Sequence, residues 1–341
     1  MAELKSYHEP ELTNAVDLCL PDGRLNPEAA GWSRFPLHNC NLRGSLLRKK
    51  RWNYWAVTTE HFLFSVTLSN IDYLGLAFIY FLDFKTKLFN ELTVTRLFGR
   101  GCELGNYVSD DAEFNDSKLK LSIKNSGNKT AIRVLCPSFM GSKLSADLKV
   151  TTPPGHQTLN VVIPWSEKRF QFTSKQNTMP AEGTISVGAQ EYDAKGGFAC
   201  LDFGRGIWPF SSFWNWASAS GVSGQHTIGL NFGAGWTDGT GMNENGICID
   251  GKLSKISEDL SFVYDPADFM KPWEIRTPFS DQVRVTFEPF YERVAKTNAL
   301  IMGSEVHQLV GRFSGTIKDS TGKKYSFSNL PGWAEEHYAR W

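Results

Sequence analysis

Apolar residues recur at every second position along most of the chain. TVTRLF (93–98), KLKLSIK (118–124), IRVLC (132–136), LNVVIPW (159–165), FQFTS (170–174), TISVGA (184–189) and VRVTFEPF (283–290) alternate β-branched or aromatic residues with polar ones, as does the run from Leu300 to Ile317. A period of two sends successive side chains to opposite faces of an extended backbone, so these segments predict strands with one face buried. The apolar run YLGLAFIYFL (73–82), bounded by Asp72 and Asp83, is about half the length of a membrane-spanning helix. It reads as a buried strand pair or one long strand. Only the C-terminal PGWAEEHYARW, with Glu336 and Arg340 four apart, predicts a helix, a short capping one.

The 341 residues exceed the usual size of a single domain, which predicts either two domains or one large two-lobed β structure. The pattern is interrupted at TTPPGHQ (151–157) by two prolines and a glycine. The expected lobes are therefore residues 1–150 and 151–341. Lysine plus arginine balances aspartate plus glutamate at 36 each. That removes the broad positive footprint that nucleic-acid or anionic-membrane binding normally needs, and neither a nucleic-acid partner nor stable membrane insertion is expected. MAELKSYHEPELTN mixes both charges and carries no apolar core segment, so no signal peptide is read and a cytoplasmic protein is expected. The six cysteines, Cys19, Cys40, Cys102, Cys136, Cys200 and Cys248, form no CxxC pair. Reduced, buried thiols are expected rather than zinc ligands or a disulfide framework.

GWTDGTGMNENGICIDG (235–251) invites a functional reading because it concentrates glycines, acids and amides. Asn245-Gly246 and Asp250-Gly251 are strong hairpin-turn signals bracketing a short strand at Ile247–Ile249. The remainder matches neither a dinucleotide fingerprint, nor a P-loop, nor a calcium loop, so no cofactor or metal is expected from it. Trp236, Asp238, Asn243 and Glu244 are left on a bend where glycines allow close backbone approach.

Aromatics reach 13% of the chain, with 11 tryptophans, and a ligand cavity is one outlet for that excess. LDFGRGIWPFSSFWNWASASG (201–221) brings Asp202, Arg205, Trp208, Trp214, Asn215 and Trp216 together. On a strand Trp214 and Trp216 share a face and Asn215 takes the other. The segment is either a tryptophan-rich core ridge, with Asp202 and Arg205 as an ion pair, or an aromatic ligand wall with the Asp202 carboxylate aimed into it. In GSEVHQLVGRFSG (303–315) Glu305 and His307 share a strand face, while Val306 and Gln308 point away. A glutamate beside a histidine suits proton transfer if enclosed. That pair is the expected proton-handling centre, with Asp202 or Asp238 as the second carboxyl; Glu288, Glu292 and His337 are further candidates. No Ser-His-Asp arrangement or GxSxG elbow supports nucleophilic hydrolysis.

The segments DFGRGIWPFSSFWNWASASG, GLNFGAGWTDGTGMNENGICIDGKLSKI, PFYERVAKTN, SEVHQLVGRFSG and GWAEEHYARW resemble those of the domain-of-unknown-function 2804 family of bacteria and fungi. More distantly, GTISVGAQEYDAKGGFACLDFGRGIWPFSSFWNWA is similar in layout to tandem lipocalin-like proteins, among them carotenoid hydratases, fungal cyclases and a stress-survival protein. Phe-Trp-Asn-Trp stands here where that group has an acidic-His-x-Trp-Gly segment. The resemblance implies an all-β fold of two lipocalin-like barrels or sandwiches in tandem, with a ligand cavity inside or between them. The expected function is cofactor-independent acid catalysis, of the hydratase, cyclase or glycoside-cleaving kind, on an apolar or carbohydrate-like small molecule in an aromatic-lined cavity. The alternative is a non-catalytic carrier of a lipid or isoprenoid-like molecule.

Overall fold

The computed structural model describes residues 9–139, 141–299 and 302–340. Its architecture is two large curled antiparallel sheets in tandem, each a half-barrel. The first runs, in spatial order, through Phe89–Leu97, Leu74–Asp83, Phe62–Asn70, Lys49–Thr58, Gly197–Ile207, Arg169–Val187, Ser142–Thr151, Lys129–Phe139, Lys120–Ser126, Ala112–Asn115 and Cys102–Leu104. Its far end curls back, so that the Cys102 thiol donates to the Ser69 carbonyl at 3.5 Å. The second runs through Lys252–Lys255, Gly246–Ile249, His226–Ala234, Ser211–Ser223, Lys324–Arg340, Met302–Lys318, Val283–Ala299, Trp273–Arg276 and Ser261–Val263. The apolar run at 73–82 falls, from Leu74 onward, in the single strand Leu74–Asp83, and all six cysteines are unpaired and buried.

The chain leaves the first sheet at Ile207 and enters the second at Ser211. Sheet membership therefore changes at residues 208–210. The strands from Leu159 to Ile207, which the sequence pattern assigns to a lobe beginning at 151, extend the first sheet. The Pro153-Pro154-Gly155 interruption is a surface turn between two strands of that sheet.

The expected C-terminal helix is not formed: Lys324–Arg340 is a 17-residue strand. It lies between Ser211–Ser223 and Met302–Lys318, hydrogen-bonded to both. Extended backbone here buries Trp333 and Glu335 on one face and Ala334 on the other, and two ladders outweigh the single i,i+4 pair that favours a helix. Asp250-Gly251 makes the expected hairpin turn, with φ of +49° and +77°. Asn245-Gly246 does not, because Gly246 already belongs to the ladder and the buried Asn245 side chain accepts the Gly233 amide at 2.7 Å.

Strands near the junction are buried on both faces, which is what positions the site. In Phe62–Asn70, for example, Phe62, Phe64, Val66 and Leu68 fill the lumen of the first sheet, while Leu63, Ser65 and Thr67 face the second sheet. In Ser211–Ser223, Ala217 and Ala219 fill the second lumen, and Trp214 and Trp216 face the first sheet. The two sheets share a seam of Tyr54, Tyr80, Trp216 and Trp333, with the aliphatic Val310 among them.

Candidate functional site

Register assembles the polar part of this seam. On the first sheet Lys175 pairs across with Asp202, and Asp202 with Tyr54. On the second sheet Trp216 pairs with Glu335, Glu335 with Gln308, and Gln308 with Arg293. Residues paired across strands share a face, so each row is a line of side chains and the two lines meet between the sheets.

The Lys175 ammonium lies 3.0 Å from Asp202 Oδ1 and 3.1 Å from Glu244 Oε2, and sits 4.3 Å from the Trp216 ring centroid. Thr173 donates to Asp202 at 3.2 Å, and the Trp236 indole donates to Glu244 Oε1 at 2.9 Å. Burial alone would push the lysine pKa down; its two carboxylates reverse this and hold it above the usual value. Burial raises the Glu244 carboxyl, with Lys175 pulling the other way. Glu244 fits because position 233 is glycine: a Cβ there would overlap its carboxyl. Gly233→Ala is therefore expected to cost roughly 1–3 kcal/mol, the usual range for overpacking, measurable by urea unfolding.

Glu335 lies on the facing row. Trp214 Nε1 donates to its Oε1 at 3.1 Å and Gln308 Nε2 to its Oε2 at 3.1 Å. Tyr80 donates to Gln308 at 2.8 Å, and the Tyr54 and Tyr80 hydroxyls are 2.8 Å apart. Burial pushes Glu335 up to about 7, against the opposing Trp214 hydrogen bond and the charges of Lys175 and Arg293. The neighbouring His337, 4.0 Å from the Trp214 ring, is pushed down to about 3 by burial, so it is neutral and cannot supply a compensating positive charge at neutral pH. The buried Trp333 indole N–H has no hydrogen-bond partner among the described residues. The arrangement can hold a proton on a carboxyl at neutral pH, beside aromatic faces able to stabilise positive charge.

Of the residues singled out from sequence, Asp202, Glu244, Trp214 and Trp216 belong to this seam. Trp208 and Trp236 form its rim, stacked at 5.2 Å, with Trp165 at 5.0 Å and Trp52 at 5.8 Å from Trp208. Trp214 and Trp216 share a face and Asn215 takes the other, where it donates to the Tyr264 hydroxyl at 3.1 Å. Arg205 does not pair with Asp202. It turns into the first lumen and spends its guanidinium donors on Gly105, Trp52, Gly204 and Asn53. Asn243 belongs to a separate buried group, accepting from Lys255 at 2.6 Å and donating its amide to Glu9 at 2.9 Å. Asp238 is exposed and caps its own turn through the Gly235 amide at 3.1 Å.

Glu305 and His307 share a face, but it is the one turned away from the first sheet. His307 bonds Glu292 at 2.6 Å and reaches Glu305 at 3.4 Å. Glu305 is partly exposed and pairs with Lys296 at 2.7 Å; that ammonium, and then His307, hold its carboxyl below the usual range. Lys175, Gln308 and Glu335 were not selected from sequence. Read as a strand, WAEEH places Trp333, Glu335 and His337 together, a signal that the helical reading concealed. Among the described residues no group of three His, Cys, Asp or Glu side chains is placed to hold a metal ion. Two surface concavities, one lined by Glu113, Lys120 and Asp147 and one by Val16, Glu28 and Tyr107, share no residue with the seam.

The family described as Domain of unknown function (DUF2804) matches residues 9–341, so the chain belongs to that family. No curated protein matches the chain. Among solved structures it is similar to CghA, at 10% identity and a TM-score of 0.53, over 96% of this chain and 97% of that one. It is also similar to CghA crystallised with Sch210972, at 10% identity and a TM-score of 0.52, over 86% and 89% of the respective chains. At this identity the likeness establishes a shared fold.

Proposed function

We propose that this DUF2804 protein is a cofactor-independent enzyme that protonates a largely apolar small molecule in the seam between its sheets. The observation that carries the reading is the buried Glu335 carboxyl, facing the Asp202–Lys175–Glu244 cluster and walled by Trp214, Trp216 and Trp333. Glu335 is the proton donor. Its proton adds to a carbon–carbon double bond, and the tryptophan faces stabilise the resulting cation and exclude bulk water. Capture by one water, or by a second double bond of the same molecule, is followed by proton loss back to the Glu335 carboxylate. This is hydratase or cyclase chemistry. Lys175 and Asp202 set the local field and position Glu244. The fold carries a small molecule in CghA, which was crystallised with Sch210972, and that supports small-molecule binding here.

One observation favours a second reading, a carrier of a lipid or isoprenoid-like ligand. Each seam carboxyl already has a protein partner, as expected if the acids serve only packing. Both readings place the ligand against Trp214 and Trp216, with entry past the half-buried Trp52 and Trp214. Metabolites that raise the melting temperature should therefore quench tryptophan emission. Trp216→Leu should weaken their binding about tenfold while the folded variant retains its spectrum. Unchanged affinity in the folded variant would move the ligand elsewhere. Turnover by the parent separates enzyme from carrier.

A further inference from the structure

The chain has no net charge, yet its cations are not evenly spread. LRGSLLRKKRW (42–52) holds Arg43, Arg48, Lys49, Lys50 and Arg51 around two leucines. Leu46 is 83% exposed and Leu47 44%. Two other loops meet this one at the same end of the first sheet. The Lys49 amide donates to Asp72 at 3.1 Å, and the Lys50 ammonium lies 4.6 Å from the Tyr73 ring centroid. Phe98 in turn donates its amide to the Tyr73 carbonyl at 2.9 Å. Leu97 and Phe98 are 65% and 67% exposed, flanked by the exposed Arg96 and Arg100.

The carboxylates bonded to these loops are already matched: Asp72 with Lys49 and Arg51, and Asp116 with Arg96. Lys50 is buried and Arg48 turns to the Trp208 carbonyl, which leaves Arg43 and Arg100 as the exposed cations beside four large apolar side chains that stand out of the surface. Leu47 and Phe98 also hold left-handed backbone, with φ of +62° and +58°, a conformation unfavourable for a bulky side chain. Water gives no return for exposing that apolar area, whereas a bilayer interface does.

We infer that this end of the first sheet docks on an anionic membrane surface, Leu46, Leu47, Leu97 and Phe98 entering the headgroup region and the exposed Arg43 and Arg100 beside them meeting lipid phosphates. Charge complementarity selects the partner, since a neutral apolar partner would make no use of the two arginines. The docked face adjoins the rim of the seam, because Arg48 donates to the Trp208 carbonyl at 3.2 Å. An apolar molecule leaving the bilayer there would arrive at the tryptophan rim. The docking itself does not depend on the proposed chemistry.

The test is co-sedimentation of the full chain with phosphatidylcholine vesicles, with and without phosphatidylglycerol, at low ionic strength. Binding is expected only when phosphatidylglycerol is present and should be reversed by salt. L46D/L47D, on exposed side chains, should weaken it about tenfold or more, and R43E/R100E should do so independently. Circular dichroism confirms that both variants are folded. Absence of binding to either vesicle, equal binding to both, or parental binding by the two folded variants would overturn the inference. Turnover is not read in this experiment, so its failure leaves the acid-catalysis reading untouched.

Discussion

Replacing Lys175 with methionine is expected to destabilise the fold by about 3–5 kcal/mol, the usual result of stripping a buried charge cluster of its counter-ion. Methionine keeps most of the stem and its packing on Trp216, so the loss is electrostatic rather than a cavity. Asp202 and Glu244 would then face the seam with no ammonium between them, and the cheapest relief is uptake of a proton. A carboxyl whose folded-state pKa is raised stabilises the fold when protonated and loses that contribution as pH rises. The deficit of Lys175→Met should therefore be larger at pH 8 than at pH 5. Adding Glu244→Gln to the methionine variant should recover part of it. Urea unfolding at the two pH values gives both numbers, and a deficit below about 1 kcal/mol would mean that the cluster is solvated rather than buried.

Glu335 carries the second large effect. Burial raises its folded-state pKa from 4.5 to about 7. Its contribution to stability is therefore complete below about pH 4.5 and is lost as pH rises through about 7. Glutamine has nearly the shape of the protonated side chain and no such dependence. Glu335→Gln should match the parent near pH 4 and exceed it by roughly 3 kcal/mol near pH 8, at about 1.4 kcal/mol per pKa unit. The readout is the stability difference between the two proteins across that interval. A constant difference would mean that the carboxyl ionises freely.

Local pattern made the sheets legible. Period-two alternation identified the strands, the opposed faces of Trp214 and Asn215, and the shared face of Glu305 and His307. It could not say which face meets the other sheet, because that depends on register between strands far apart in sequence. Lys175 and Asp202 are 27 residues apart, counted from their numbers, and meet only through antiparallel pairing. The same ignorance of facing made Glu305 and His307 attractive, although they lie on the far side from the tryptophan seam. Arg205 was paired with Asp202 by proximity in sequence, yet three positions along a strand means opposite faces. Glu335 was hidden for another reason: its neighbours PGWAEEH satisfy local helix rules, and only the two flanking strands force them extended.

The central claim is that Glu335 delivers the proton, and turnover by Glu335→Gln tests it most directly. With a substrate found through thermal stabilisation, the rate should fall on the order of a hundredfold or more, while affinity stays within about threefold, since the amide preserves shape. The parental rate should itself decline as pH rises through about 7, because only the protonated carboxyl is competent. A glutamine variant that turns over at the parental rate would contradict the account and leave the seam to a carrier.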